Sequence, residues 1–169
     1  MRYFITFACY GARVHGDDTG SVDPRHNLPG TPLVEPDEIR ANAERQKMDQ
    51  PLFLLDAEGR AAVLDTLHEV CASRGWTLFA AHVRANHVHA VVEAGVLPEF
   101  VMNTFKAYAS RRLNVASRCE IARKRWSRHG STRWLWNEQD VRAALQYVVE
   151  EQGEPMAVFV LQNRPTRAS

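Results

Sequence analysis

The chain has only three cysteines, Cys9, Cys71 and Cys119, and no CxxC pair among its 169 residues. So few and so scattered, they exclude a disulfide framework and a thiolate metal centre, and they suit a reducing cytoplasm. Also missing is any apolar run near the roughly 20 residues needed to span a bilayer, so no membrane partner is expected. The opening MRYFITFACYGA holds too short an apolar part, interrupted by Thr6 and two tyrosines, for a secretory leader, and it reads as a strand. No internal repeat and no low-complexity tract is present. Acids are nearly missing from one stretch. Residues 106–133 contain Glu120 alone against nine Lys/Arg, whereas residues 17–69 carry twelve Asp/Glu against five Lys/Arg. A net charge of +1 conceals this asymmetry, and its basic pole suits a polyphosphate partner.

What remains is the composition of an ordinary globular protein, 45% hydrophobic and 24% charged, of a length that fits one domain. Residues 3–10, YFITFACY, are β-branched and aromatic without a breaker and predict a first strand. Gly16, Gly20, Pro24, Pro29, Gly30, Pro32 and Pro36 mark an irregular excursion at about 11–50, a length that in small domains usually serves function. A polar helical patch begins near Asp37. DAEGRAAVLDTLHEVCASR, 56–74, predicts a helix capped by Asp56 and stopped by Gly75. WTLFAAHV and HVHAVVEA, 76–83 and 87–94, form an antiparallel hairpin about a short turn. Pro98 opens a second helix, STRWLWN supplies a fourth strand, and NEQDVRAALQYVVEEQ is a final helix ending at Gly153 and Pro155. The order β-α-β-β-α-β-α predicts an α+β fold, a ferredoxin-like antiparallel sheet with helices on one face and an additional C-terminal helix. The domain is expected over 1–155, with 156–169 as a tail.

The stretch NHVHAVVEA puts His87 and His89 at the head of the third strand. Residues i and i+2 of a strand project from one face about 7 Å apart, so two imidazoles can converge on one ion, with room for a third ligand and substrate oxygens. His15, His26, His68 and His129 lack such a pairing, and His82 sits across the hairpin. For HxH alone, hydrogen bonding at the sheet surface is the more ordinary explanation.

The segment HVRANHVHAVVEA resembles the His-hydrophobic-His motif of the HUH endonucleases, and more narrowly that of the single-tyrosine HUH transposases and bacterial REP-associated tyrosine transposases. In these an Asn precedes the two histidines, as Asn86 does here. The strand order is similar as well, from residue 1 to about 155. The resemblance implies a nucleophilic tyrosine on a helix after the last strand, where Tyr147 stands. Tyr147 also falls at the edge of that helix's polar face, beside an apolar stripe of Val141, Ala144, Leu145 and Val148. Glu151 lies one turn on. Relatives place Gln, Asn or Glu near this point, so Glu151 is the expected third metal ligand, with Glu150 and Gln152 open as alternatives. Tyr108 is the rival nucleophile, but it sits on an apolar stripe and its i+4 neighbour is Arg112, which cannot ligate a metal.

The implied chemistry is cleavage and rejoining of single-stranded DNA through a 5′-phosphotyrosine. A divalent ion, Mg²⁺ or Mn²⁺, held by His87, His89 and the third ligand would act on the scissile phosphate. No cluster of three acids lies near the histidines in sequence, which disfavours a two-metal nuclease. Lys106, Arg111, Arg112, Arg123, Lys124, Arg125 and Arg128 are expected to form a DNA track, with Trp126 among them as a stacking surface. Trp134 and Trp136 alternate on a strand and are expected to pack, with Arg133 facing the other way. The resemblance points to hairpin-bearing single-stranded DNA as partner and to a cytoplasmic, nucleoid-associated protein. Monomer and homodimer both stay open, since relatives include each. The competing readings are a hairpin-binding protein that no longer cleaves, a replication-initiator-type HUH nickase, and a phosphodiesterase that uses HxH without a covalent step.

Overall fold

A computed structural model describes residues 1–12, 46–117 and 123–162 of the chain. The excursion from 13 to 45, including the polar patch after Asp37, lies outside the described residues, as do Arg118, Cys119 and Glu120. The elements are β1 (Arg2–Ala8), α1 (Ala57–Arg74), β2 (Thr77–Val83), β3 (His87–Glu93), α2 (Pro98–Ser117), β4 (Ser131–Leu135), α3 (Glu138–Glu150) and β5 (Ala157–Val160). The strands form one antiparallel sheet in the order β4-β1-β3-β2-β5.

Strand alternation divides this sheet into two unlike faces. Tyr3, Ile5 and Phe7 of β1 join Val88, Ala90 and Val92 of β3 in the main core, which α1 and α2 cover with Val63, Leu67, Val70, Val101, Phe105 and Leu113. The opposite face carries Phe4, Thr6, His87, His89 and Val91, and α3 lies over part of it. There Val141, Ala144 and Val148 pack with Ala80, Val91 and Leu135 in a smaller apolar cluster. Helices on one face plus an additional C-terminal helix is the architecture the sequence predicts, and the structure puts that last helix on the opposite face.

Local chemistry sets the ends of the helices. Asp56 accepts from the Gly59 amide at 2.7 Å, and Asn137 accepts from the Asp140 amide at 2.9 Å, each satisfying an N-terminal N–H. Gly75, at φ 66°, ends α1 in the left-handed region, where a Cβ is disfavoured. Burial pushes the Cys9 and Cys71 thiols up to about 12, so neither is primed as a nucleophile at neutral pH.

Two expectations need correction. The tail expected at 156–169 contributes β5, whose Ala157–Val160 pairs with β2. This apolar run completes an otherwise open sheet edge, a gain visible only once the neighbouring strand is in place. The two tryptophans also part company. Trp134 packs edge-on to Tyr3 at 5.0 Å, but β4 ends at Leu135, so Trp136 lies beyond the sheet, stacked on Trp134 and 77% exposed.

Gly130, before β4, marks a close backbone approach. A Cβ there would fall 2.6 Å from the Thr6 carbonyl oxygen and 2.5 Å from Met102 Sδ. Met102 can move aside, but the carbonyl belongs to a central strand. Gly130→Ala is therefore expected to cost about 1–3 kcal/mol, read as a lowered thermal midpoint. An unchanged midpoint would show that β4 shifts without cost.

Candidate active site

One row of side chains crosses the sheet on the α3 face. Ser131, Thr6, His89 and His82 are successive in-register partners across β4, β1, β3 and β2, so they project on the same side. His87 lies two residues from His89 on the same face, with ring centroids 4.6 Å apart. The HxH spacing thus brings both imidazoles together. Tyr147 approaches from α3, its ring edge-on to His89 at 5.6 Å and to Phe4 at 5.8 Å. Phe4 also stacks against His89 at 5.5 Å, forming an apolar wall between strand and helix. Tyr147 remains 40% exposed, so the site is open to solvent.

Hydrogen bonds fix the rings. His87 Nδ1 is 2.6 Å from Asn86 Oδ1. An amide oxygen only accepts, so Nδ1 carries the proton and Nε2 keeps its lone pair. His89 is nearly buried and bonded at both nitrogens, Nδ1 to Thr6 Oγ1 at 2.7 Å and Nε2 to Gln152 Oε1 at 3.0 Å. Gln152 Oε1 accepts from Nε2–H, so the Thr6 hydroxyl donates to Nδ1. A hydroxyl also accepts, so Thr6 serves equally well when the ring carries its proton on Nδ1 and frees Nε2 for a ligand. The amide of Gln152 donates in turn to the Tyr147 carbonyl at 3.2 Å.

Of the three residues weighed as a third ligand, Gln152 is the one whose side chain bonds an imidazole. Gln152 reaches His89, whereas Glu151 is exposed and its backbone N–H caps the Tyr147 carbonyl. Glu150 ends α3 and is also exposed. Among the described residues no cluster of three His, Cys, Asp or Glu side chains is present. Two imidazoles and an amide oxygen are nonetheless a donor set that fits a divalent ion. They are neutral, and so would leave the full ionic charge for a phosphate oxygen.

Tyr108, the rival, lies on α2, which covers the other face of the sheet. It is partly exposed, with Arg111 over its ring at 5.0 Å, and Arg74 beside its hydroxyl lowers its pKa. The sheet separates it from the histidines.

The basic residues do not form the one track expected. Lys106 is buried, and its ammonium donates to the carbonyls of Ser127 (3.0 Å), Arg128 (3.5 Å) and His129 (3.1 Å). Burial pulls its pKa down to about 8. Arg125 is buried too, donating to Asn114 Oδ1 at 3.0 and 2.8 Å and to Ser117 Oγ at 3.2 Å. These two cations hold the segment before β4 in place, and that inward use corrects their expected role on a DNA surface. Arg112 pairs with Glu69 and Lys124 with Asp49. Arg123 donates to the Leu52 carbonyl at 3.1 Å, and Arg111 sits on α2, behind the sheet.

Arg128 is exposed just after Ser127, whose amide donates to the Ala8 carbonyl at 2.9 Å, and Ala8 is the register partner of His87. Arg133, absent from the expected track, is exposed on the tyrosine face as the register partner of Phe4. Thr6 was likewise hard to single out, whereas Gln152 stood among the alternatives for the third ligand. The one clue to Thr6 is that it is the sole polar side chain within YFITFA.

No helix among the described residues is long and apolar enough to cross a membrane. Two solved structures are similar at low identity. One is a REP-associated tyrosine transposase bound to a REP hairpin, with TM-score 0.45 and 13% identity, covering 87% of this chain and 63% of that one. This chain therefore spans less than two-thirds of that protein's length. The other is the crystal structure of a "putative transposase" from Deinococcus radiodurans R1, with TM-score 0.45 and 17% identity over 90% of each chain. No curated protein matches the chain. The profile of the family described as "Transposase IS200 like" matches residues 52–148, from before α1 to the tyrosine helix and more than half of the sequence. The chain belongs to the IS200-like transposase family.

Proposed function

We propose that this transposase cleaves and rejoins hairpin-bearing single-stranded DNA through Tyr147, with a divalent ion held by His87, His89 and Gln152. One observation carries the reading. The Tyr147 ring meets His89 edge-on at 5.6 Å, while Gln152, five residues on, bonds the same imidazole. A phenol, a pair of imidazoles and an amide oxygen thus lie together on one face of the sheet within a single chain. A second copy is not required to assemble it.

The residues divide the work as follows. Tyr147 supplies the nucleophile: its oxygen gives up the phenolic proton to solvent and forms a bond to phosphorus as the P–O3′ bond breaks, and the departing 3′ oxygen takes up a proton from solvent. Attack by another 3′-hydroxyl on the phosphotyrosine reverses the exchange and regenerates the phenol, so rejoining needs no external energy. Mg²⁺ or Mn²⁺ would supply Lewis-acid stabilisation of phosphate charge. Asn86 sets the His87 tautomer, and Thr6 orients the His89 ring in either of its tautomers. Phe4 limits the swing of both the Tyr147 and His89 rings, and in-line attack depends on such restraint.

Arg128 and Arg133 are exposed cations on segments that border the site strands and are proposed to bind DNA phosphates, with Arg111, Arg112, Arg123 and Lys124 as a further basic surface. Each phosphate contact removed should lower the salt dependence of binding by about one ion. Arg128→Ala is expected to reduce that slope by about 1 while leaving stability within about 0.5 kcal/mol. Lys106→Met is expected to do the reverse, leaving the slope unchanged and costing about 1–3 kcal/mol as three carbonyls lose their donor. Affinity titrations at several salt concentrations, beside thermal melts, read both.

The reading is tested with a labelled single-stranded oligonucleotide bearing a hairpin, incubated with Mn²⁺ and resolved on a denaturing protein gel. A covalent adduct is expected. Hairpin binding with no adduct across many hairpins would instead favour a silent binding protein.

A further inference from the structure

His82 is fully buried on β2, the register partner of His89 on one side and of Val158 on the other. Both of its nitrogens are committed. Nδ1 lies 3.0 Å from the Val148 carbonyl oxygen, which only accepts, so Nδ1 carries the proton. Nε2 lies 3.2 Å from the Met156 amide, which only donates, so Nε2 offers its lone pair. The ring is therefore neutral and held in one tautomer, and burial, which lowers its pKa, acts in the same direction.

These two bonds have a particular location. Val148 follows Tyr147 in the last turn of α3, where helix carbonyls lack an intrahelical donor. Met156 leads into β5. Between them runs the turn that carries Gln152, whose side chain bonds His89 and the Tyr147 carbonyl. One imidazole thus pins both ends of the segment that places the phenol and the amide. Two bonds from a rigid, buried ring restrain that turn more than packing alone would, because each fixes a direction as well as a distance.

We propose that His82 is a positioning residue for strand cleavage, acting through the Val148 carbonyl and the Met156 amide to hold Tyr147 and Gln152 against His89 while itself touching neither DNA nor ion. The inference rests on the function proposed above. It predicts a loss in the chemical step, since a displacement of about 1 Å at a reacting group can cost about 10²-fold in rate.

The test uses His82→Phe, which keeps ring volume and removes both bonds, and His82→Gln, whose amide retains a donor and an acceptor. Single-turnover adduct formation, hairpin affinity and Mn²⁺ half-saturation are measured on the full chain. For His82→Phe the adduct rate should fall about 10–100-fold and the Mn²⁺ requirement should rise, with hairpin affinity within about twofold of wild type. His82→Gln should recover part of the rate. Should the Phe variant melt below the assay temperature, His82→Gln alone decides, and it should be several-fold slower than wild type at unchanged affinity. A His82 variant that forms adduct at the wild-type rate overturns this inference. So does a loss of rate that tracks loss of folding and affinity, with no recovery in Gln. A wild-type chain that forms no adduct overturns the parent reading instead.

Discussion

Tyr147→Phe is expected to abolish the covalent DNA adduct, lowering its rate by about 10³-fold or more, while hairpin binding persists. The change removes one oxygen and keeps the ring that packs edge-on to His89 and Phe4. Tyr147 is 40% exposed and its hydroxyl has no assigned hydrogen bond among the described residues, so stability should stay within about 0.5 kcal/mol. Tyr108→Phe serves as the control. That side chain lies on α2 across the sheet, and its loss should leave the adduct intact. An adduct that survives in Tyr147→Phe and disappears in Tyr108→Phe would move the nucleophile to α2 and require the sheet to be traversed.

Gln152→Ala and Glu151→Ala should separate just as sharply. Gln152 is the neighbour whose oxygen meets His89 Nε2 at 3.0 Å, and its amide also holds the Tyr147 carbonyl. Removing it deletes the proposed third ligand and slackens the tyrosine turn together. The Mn²⁺ concentration for half-maximal adduct formation should rise by about 10–100-fold. Glu151→Ala should change it by no more than about threefold, because its exposed carboxylate lies outside the imidazole cluster. The reverse order would mean that the turn rearranges on ion binding and brings the carboxylate in.

These two neighbours show where sequence reasoning reached its limit. The i+4 relation that selects Glu151 from Tyr147 holds only while a helix continues. Here α3 stops at Glu150, and Glu151 sits at φ −101°, ψ 12° as its cap, so the next side chain swings to the histidines. Inside regular elements the pattern was legible. The breaker-free run YFITFA marks a strand, and the two-residue spacing of His87 and His89 and the edge position of Tyr147 each follow from a fixed repeat.

Cations behaved differently. Lys106 and Arg128 look alike in a basic run, yet Lys106 is buried under three carbonyls and Arg128 is exposed, a distinction made by how the segment before β4 folds back over α2. The strand at Ala157–Val160 was illegible for a related reason. So short an apolar run acquires its structure from the partner edge of β2.

That final strand sets a constraint on length. Phe159 faces the main core, its ring 4.1 Å from His68, and Val158 faces the opposite way in register with His82. Adding or deleting a single residue between α3 and β5 would invert this parity, turning the aromatic ring out to water and an aliphatic side chain inward. The number of residues in this turn is therefore constrained along with the identity of Gln152 within it.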